Sequence, residues 1–174
     1  MNPQAAALVR ASWSQVEPIA PAAAALFYRH LLADAPELRA LFRGDLQQQG
    51  DKLMRMLGWL VARLDDLPTL LPALADLGRR HADYGVQASH YDRVGAALLR
   101  TLAEGLGAQF APATERAWTD TYQVIADTMI AAATDKAATL MRRPAGAARK
   151  RDLPGASVRR RRLARHRGAC RWIS

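Results

Sequence analysis

ALADLGRRHADYGV, residues 73–86, holds a histidine where a helix would carry an apolar side chain. Leu70, Leu74, Leu77 and His81 are spaced four, three and four apart. At 3.6 residues per turn, that spacing puts all four on one stripe. Arg79 and Arg80 fall off the stripe, and Gly85 supplies a helix stop just beyond it. The pattern therefore turns His81 inward. The ordinary use of such a residue is structural, with the ring bonded to a backbone carbonyl. The other use is as a metal ligand, since a neutral imidazole keeps one lone pair while its second nitrogen is tied down by a hydrogen bond.

The surrounding text reads as helix almost throughout. Ala and Leu abound and β-branched residues are sparse up to about residue 135. Asn2-Pro3 has the form of an N-cap with proline at the first helical position, opening a helix to about Glu17, where Pro18 and Pro21 break it. A second helix over roughly 20–32 collects Ala24, Phe27, Tyr28, Leu31 and Leu32 on one broad face. Asp34-Ala-Pro-Glu37 opens a short helix, its carboxylates at the favourable end, which delivers Leu41-Phe42. Arg43-Gly44-Asp45 reads as a turn. A longer helix spans about 46–64, with Leu53, Met56, Leu57, Leu60 and Leu64 as its apolar stripe and Gln49 one turn before Leu53. The helix of the opening stretch starts near Pro68. Ser89-His-Tyr-Asp92 resembles a capping box and starts a helix carrying Tyr91, Val94, Leu98 and Leu102, which Gly105 and Gly107 end. Pro112 opens the last long helix, with Trp118, Tyr122, Ile125 and Met129 inward, fading after about 134. The expected class is all-α, with six to eight helices too unequal for a symmetric four-helix bundle.

Charge divides the chain. Residues 1–135 carry twelve Lys or Arg against fifteen Asp or Glu, whereas residues 136–174 carry thirteen against one. A mildly acidic domain is followed by a basic tail rich in Arg, Ala, Gly and Pro, with little to bury, for which disorder is expected. The tail invites two readings: attachment to anionic surfaces, either nucleic acid or membrane, or a merely solvated extension. The single cysteine, Cys170, excludes an intramolecular disulfide and a cysteine metal site. No charged leader with an apolar core precedes the domain, and no apolar run reaches membrane-spanning length. The expected setting is a reducing cytoplasm.

Among the four histidines, His166 lies in the tail and His90 at a helix start near solvent. His30 is two residues, about 200° of helical turn, from Tyr28 and does not share its face. Only His81 takes a place where an apolar residue is expected. An iron porphyrin needs such an imidazole, its second nitrogen donating to the carbonyl one turn back, that of Leu77. It also needs apolar walls and, for oxygen chemistry, a polar group on the opposite side. Phe42, between a short helix and a turn, is placed to stack on a flat ring. Tyr28 lies among apolar neighbours, and a buried hydroxyl must find a partner. Taken singly, Phe42 reads as ordinary core and Gln49 as a surface residue.

Taken in order, LFYRHLLADAPELRALF, LMRMLGWLV, LGRRHADYGV, SHYDRVG and the Ala117-Trp118 before Tyr122 resemble the single-domain bacterial haemoglobins, which are also the globin half of flavohaemoglobins. The resemblance covers about residues 5–132 and implies a globin fold around a haem b pocket over residues 1–135. It implies His81 as the proximal iron ligand, Phe42 as the stacking ring, Tyr28 and Gln49 as the distal pair and Leu53 as the apolar gate. Tyr91 matches a proximal-side tyrosine, and Val86 and Val94 join the cofactor-contacting set. Where flavohaemoglobins place a glutamate that polarises the proximal histidine, this sequence has Ala133. That departure implies a less electron-rich ligand and weaker peroxidase-like behaviour. The stretch after Phe42 is a few residues shorter than in flavohaemoglobins.

Function follows as expectation. A tyrosine hydroxyl and an amide N–H can each donate to a polarised diatomic guest, and such a bond is worth about 1.5–3 kcal/mol, or roughly ten- to a hundredfold in affinity. The resemblance implies reversible binding of oxygen, nitric oxide and carbon monoxide, for oxygen transport or storage, with slow oxygen release; conversion of nitric oxide to nitrate is the further activity it suggests. No Gly-x-Gly-x-x-Gly or other flavin or nucleotide motif occurs, so turnover would need an external reductase. The competing readings are a haem-based gas sensor or interaction module with the tail as its output, and a haem-free helical module.

Overall fold

Asn2 accepts a hydrogen bond from the Gln4 N–H at 3.0 Å and starts the first helix, α1 (Pro3–Val16). The computed structural model describes residues 2–42 and 44–142, and the expectations for residues 143–174 lie outside them. α2 spans Ala20–Asp34, followed by a 3₁₀ helix at Pro36–Leu41 where the sequence suggested a short helix. α3 (Leu46–Val61) is capped by Asp45, which accepts from the Gln47 N–H at 2.9 Å. α4 (Leu67–Asp83) is capped by Asp66, α5 spans Ala88–Leu106 and α6 spans Pro112–Arg142. Among the described residues there are six α-helices and no strand, as expected.

Three boundaries differ from expectation. α5 begins at Ala88, because its capping box pairs Gln87 with His90 rather than Ser89 with Asp92: the Gln87 N–H donates to His90 Nδ1 at 3.1 Å. Gly105 lies inside α5, and Gly107, at φ +55°, ends it. α6 runs past 134 to at least Arg142, where the described residues end. Lys136, counted with the basic tail by composition, is on this helix. It reaches back to the end of α4, donating to the Arg79 carbonyl and the Asp83 carboxylate.

The core forms where α2 packs against both α3 and α5, and α6 against α1, α4 and α5. Its most intimate crossing is at Gly78. A Cβ there would lie 2.3 Å from the Met129 carbonyl oxygen, so only glycine lets α4 and α6 approach this closely. Trp118 Nε1 donates to Ser12 Oγ at 2.8 Å, satisfying the buried polar groups where α1 meets α6. No described helix is long and apolar enough to cross a membrane.

Candidate functional site

α4 delivers His81, and the way the helix ends fixes what lies beside it. Gly85 adopts φ +86°, its N–H donates to the Ala82 carbonyl at 3.0 Å, and the Val86 N–H donates to the His81 carbonyl at 3.0 Å. This is a Schellman termination, which folds the chain back so that Val86 comes to rest against His81. Gly85 also meets the preceding 3₁₀ helix: its Cβ position lies 3.9 Å from a Leu41 methyl. The end of α4 therefore abuts the segment that presents Phe42.

The His81 ring is oriented by one bond. Nδ1 lies 3.0 Å from the Leu77 carbonyl, the partner expected from the sequence. A carbonyl only accepts, so Nδ1 carries the proton and the neutral ring keeps its lone pair on Nε2. Burial lowers the pKa of the ring, the Leu77 bond opposes that shift and the Arg80 charge adds to it. Nε2 has no hydrogen-bond partner among the described residues. The Tyr91 ring stacks beside His81 with centroids 6.4 Å apart and planes at 30°. Tyr91 is itself held by the Tyr122 hydroxyl, which donates to its backbone carbonyl at 2.7 Å. Burial raises the pKa of both phenols.

A second aromatic cluster lies on α2 and the end of the 3₁₀ helix. Phe27 and Tyr28 meet edge to face at 5.1 Å, and Tyr28 and Phe42 at 5.2 Å and 83°. Tyr28 is 6% exposed, and its hydroxyl has no hydrogen-bond partner among the described residues. Burial pushes its pKa up to about 12. The ring is buried but the hydroxyl is not sealed off: among the described residues the one fully enclosed side-chain polar atom without a partner is His30 Nε2.

α3 divides its apolar residues between two duties. Met54, Leu57, Leu60 and Val61 are buried in the core, while Gln49, Leu53 and Met56, one stripe at i, i+4 and i+7, are half-buried. The sequence pattern merged these two stripes. Phe42, Val86 and Val94 are likewise half-buried. Of the expected site residues, direct contacts bring together His81, Tyr91 and Val86, and separately Tyr28 and Phe42; no ring contact or hydrogen bond among the described residues joins the two groups.

The residues fit a haem. Among the described residues one imidazole nitrogen and one phenol hydroxyl have no hydrogen-bond partner, and the surrounding apolar side chains are only half covered. Ala133, also half-buried, lies on α6 between Met129 and Lys136, both of which touch α4. Among the described residues no carboxylate hydrogen-bonds His81 or Tyr91.

One expectation about histidines is corrected. His30 is more buried than His81, at 5% exposure, and its Nε2 lies 3.0 Å from a Glu104 carboxylate oxygen, at an angle too poor for a hydrogen bond. Because α2 is covered by α3 on one side and α5 on the other, the side opposite Tyr28 is interior too. His90 is half-buried and serves the capping box.

Comparison with known proteins agrees with this geometry. Residues 25–129 match the family profile Globin. A flavohemoprotein of Bordetella parapertussis is 32% identical over 133 residues, covering 75% of this chain and 33% of that protein. A flavohemoprotein of Burkholderia sp. is 34% identical over 128 residues, covering 71% and 33%. The chain thus spans about a third of the length of these relatives. Among solved structures, an engineered carbene transferase from Rhodothermus marinus, named for nitric oxide dioxygenase, superposes with a TM-score of 0.73 at 29% identity, covering 81% of this chain and 99% of that one.

Proposed function

The chain belongs to the globin family, and from that premise we propose that it is a gas-binding haem protein which holds haem b through His81 and converts nitric oxide to nitrate when supplied with electrons. The observation that carries this reading is the His81 ring itself: Nδ1–H committed to Leu77, Nε2 left with a lone pair and no partner among the described residues. Haem bound there supplies an iron that takes up oxygen and other diatomic gases.

The chain's own residues then have distinct tasks. Leu77 fixes the tautomer and the tilt of the ligand ring. Tyr91 backs the ring from the side, pinned by Tyr122. Phe42 offers an apolar face next to Tyr28, and Leu53 narrows access from α3. Tyr28, a phenol protonated at physiological pH and with its pKa pushed up to about 12 by burial, donates to the guest, with Gln49 as the second donor. Dioxygen, nitric oxide and one electron give nitrate. The electron comes from a reductase outside this sequence, consistent with the flavohemoprotein names of relatives of which the matched region is only a third. The expected cytoplasmic setting rests on the sparse use of cysteine.

An absorption spectrum of the haem-reconstituted protein, with and without carbon monoxide, tests the reading. The ferrous protein should give a sharp Soret shift on adding carbon monoxide, and His81→Ala should lose the five-coordinate ferrous spectrum and regain it with added imidazole. A variant spectrally identical to the parent would remove His81 as the ligand. Stopped-flow mixing of the oxygenated protein with nitric oxide should give stoichiometric nitrate; simple gas exchange without nitrate would leave binding and remove the conversion.

A further inference from the structure

A groove of about 510 Å³ runs between α2 and the start of α3, and neither His81 nor Tyr91 lines it. Its two buried lining residues, Ala24 and Tyr28, form its floor. Ala25 and Pro21 are exposed at its rim, and Leu32 and Leu46, both half-buried, are its apolar walls. The floor is narrow because α2 and α3 touch there: a Cβ on Gly50 would lie 2.8 Å from the Ala24 Cβ and 3.9 Å from the Tyr28 ring.

We infer that this groove is an access route for small uncharged gases, with the Tyr28 ring as its inner gate. The inference rests on the haem reading above. Three observations support it. The floor is the same phenol whose hydroxyl lacks a partner and whose other edge meets Phe42, so a gas passing Tyr28 arrives beside the proposed stacking ring. Pro21, Ala24, Ala25, Leu32 and Leu46 make most of the lining small or aliphatic, while the polar ends of Arg29, Gln47 and Asp51 belong to exposed residues at the rim. The rim carries one charge of each sign, Arg29 and Asp51, and Arg29 is engaged with Glu104 at 3.1 Å. The rim therefore does not select an ion.

The test uses carbon monoxide and flash photolysis of the ferrous, haem-loaded full chain. Ala25→Trp plugs the mouth from an exposed position, and Gln47→Trp does so from the facing helix, which is also exposed. Each should slow bimolecular carbon monoxide association by roughly tenfold, equivalent to about 1.4 kcal/mol on the access barrier. Because a plug raises one barrier crossed in both directions, dissociation should slow in parallel and the equilibrium affinity should hold. Leu32→Ala should speed both. Association within twofold of the parent in both tryptophan variants, with the parent Soret spectrum retained, overturns the route. So does a slower association that appears only as weaker affinity, since that would report a disturbed Tyr28 and not a blocked path. A parent chain that binds no haem sinks the functional reading first, and this inference with it.

Discussion

In the proposed reading, reactivity turns on Tyr28. It is buried, protonated, without an acceptor among the described residues, and in edge contact with Phe42. Replacing it with phenylalanine keeps the ring contacts with Phe27 and Phe42 and deletes only the hydroxyl. If that hydroxyl donates to bound gas, Tyr28→Phe should raise the oxygen dissociation rate by roughly ten- to a hundredfold, as expected for one lost hydrogen bond of about 1.5–3 kcal/mol to a charged group. Carbon monoxide, a poorer acceptor, should be affected far less. Stopped-flow displacement of oxygen by carbon monoxide measures both. Equal effects on the two gases would mean that Tyr28 acts through shape and not by donating. Tyr28 was legible as a candidate from its apolar neighbours, and His81 from the stripe it shares with Leu70, Leu74 and Leu77. His30 was not legible. Its partner Glu104 is far away in sequence and its burial comes from α5, which no local spacing on α2 reveals.

At the scale of elements, the sequence marked helix starts and stops where one residue type does the work alone. Asn2 before Pro3 and Gly85 after His81 are such places, and both appear in the structure as expected. It misplaced the start of α5 because Ser89 and Asp92 satisfy the usual capping pattern while Gln87 and His90 make the bonds. The length of α6 was missed because its alanine-rich end has little apolar periodicity, and the bond of Lys136 to α4 adds stability that composition does not show. The α4–α6 crossing was also invisible, since Gly78 inside a helix reads locally as a weakness. Its tertiary role makes a clear prediction. Gly78→Ala, which would raise helix propensity in isolation, should here destabilise by about 2–3 kcal/mol and lower the thermal midpoint by about 10 °C, because the new Cβ meets Met129 backbone that cannot swing aside. It should also loosen the His81 end of α4. A thermal melt as stable as the parent's would show that the two helices can separate at no cost.

Across the whole molecule, the buried tyrosines tie stability to alkaline pH. Tyr28 is held protonated to about pH 12, and Tyr122 and Tyr91 are shifted in the same direction, all chiefly by burial. In the unfolded chain a tyrosine ionises near pH 10. Above about pH 10 the unfolded chain therefore binds fewer protons than the folded one, and stability must fall as pH rises. The contribution is fully present below pH 10 and is lost as pH climbs through the folded values, with a slope of up to about 1.4 kcal/mol per pH unit for each tyrosine involved. Lysines also titrate in this range, so the informative quantity is the difference between variants. Urea unfolding of the parent, Tyr28→Phe and Tyr122→Phe between pH 8 and pH 12 should give constant stability differences up to about pH 10, and above it the parent should lose stability more steeply than either variant, since each phenylalanine variant has one fewer shifted phenol. Tyr122→Phe should start from lower stability, having lost its bond to the Tyr91 carbonyl, and should also disturb the ring stacked on His81. Parallel curves across the whole range would mean that the phenols ionise in place within the folded chain, and that the interior around Tyr28 is wetter than its 6% exposure implies.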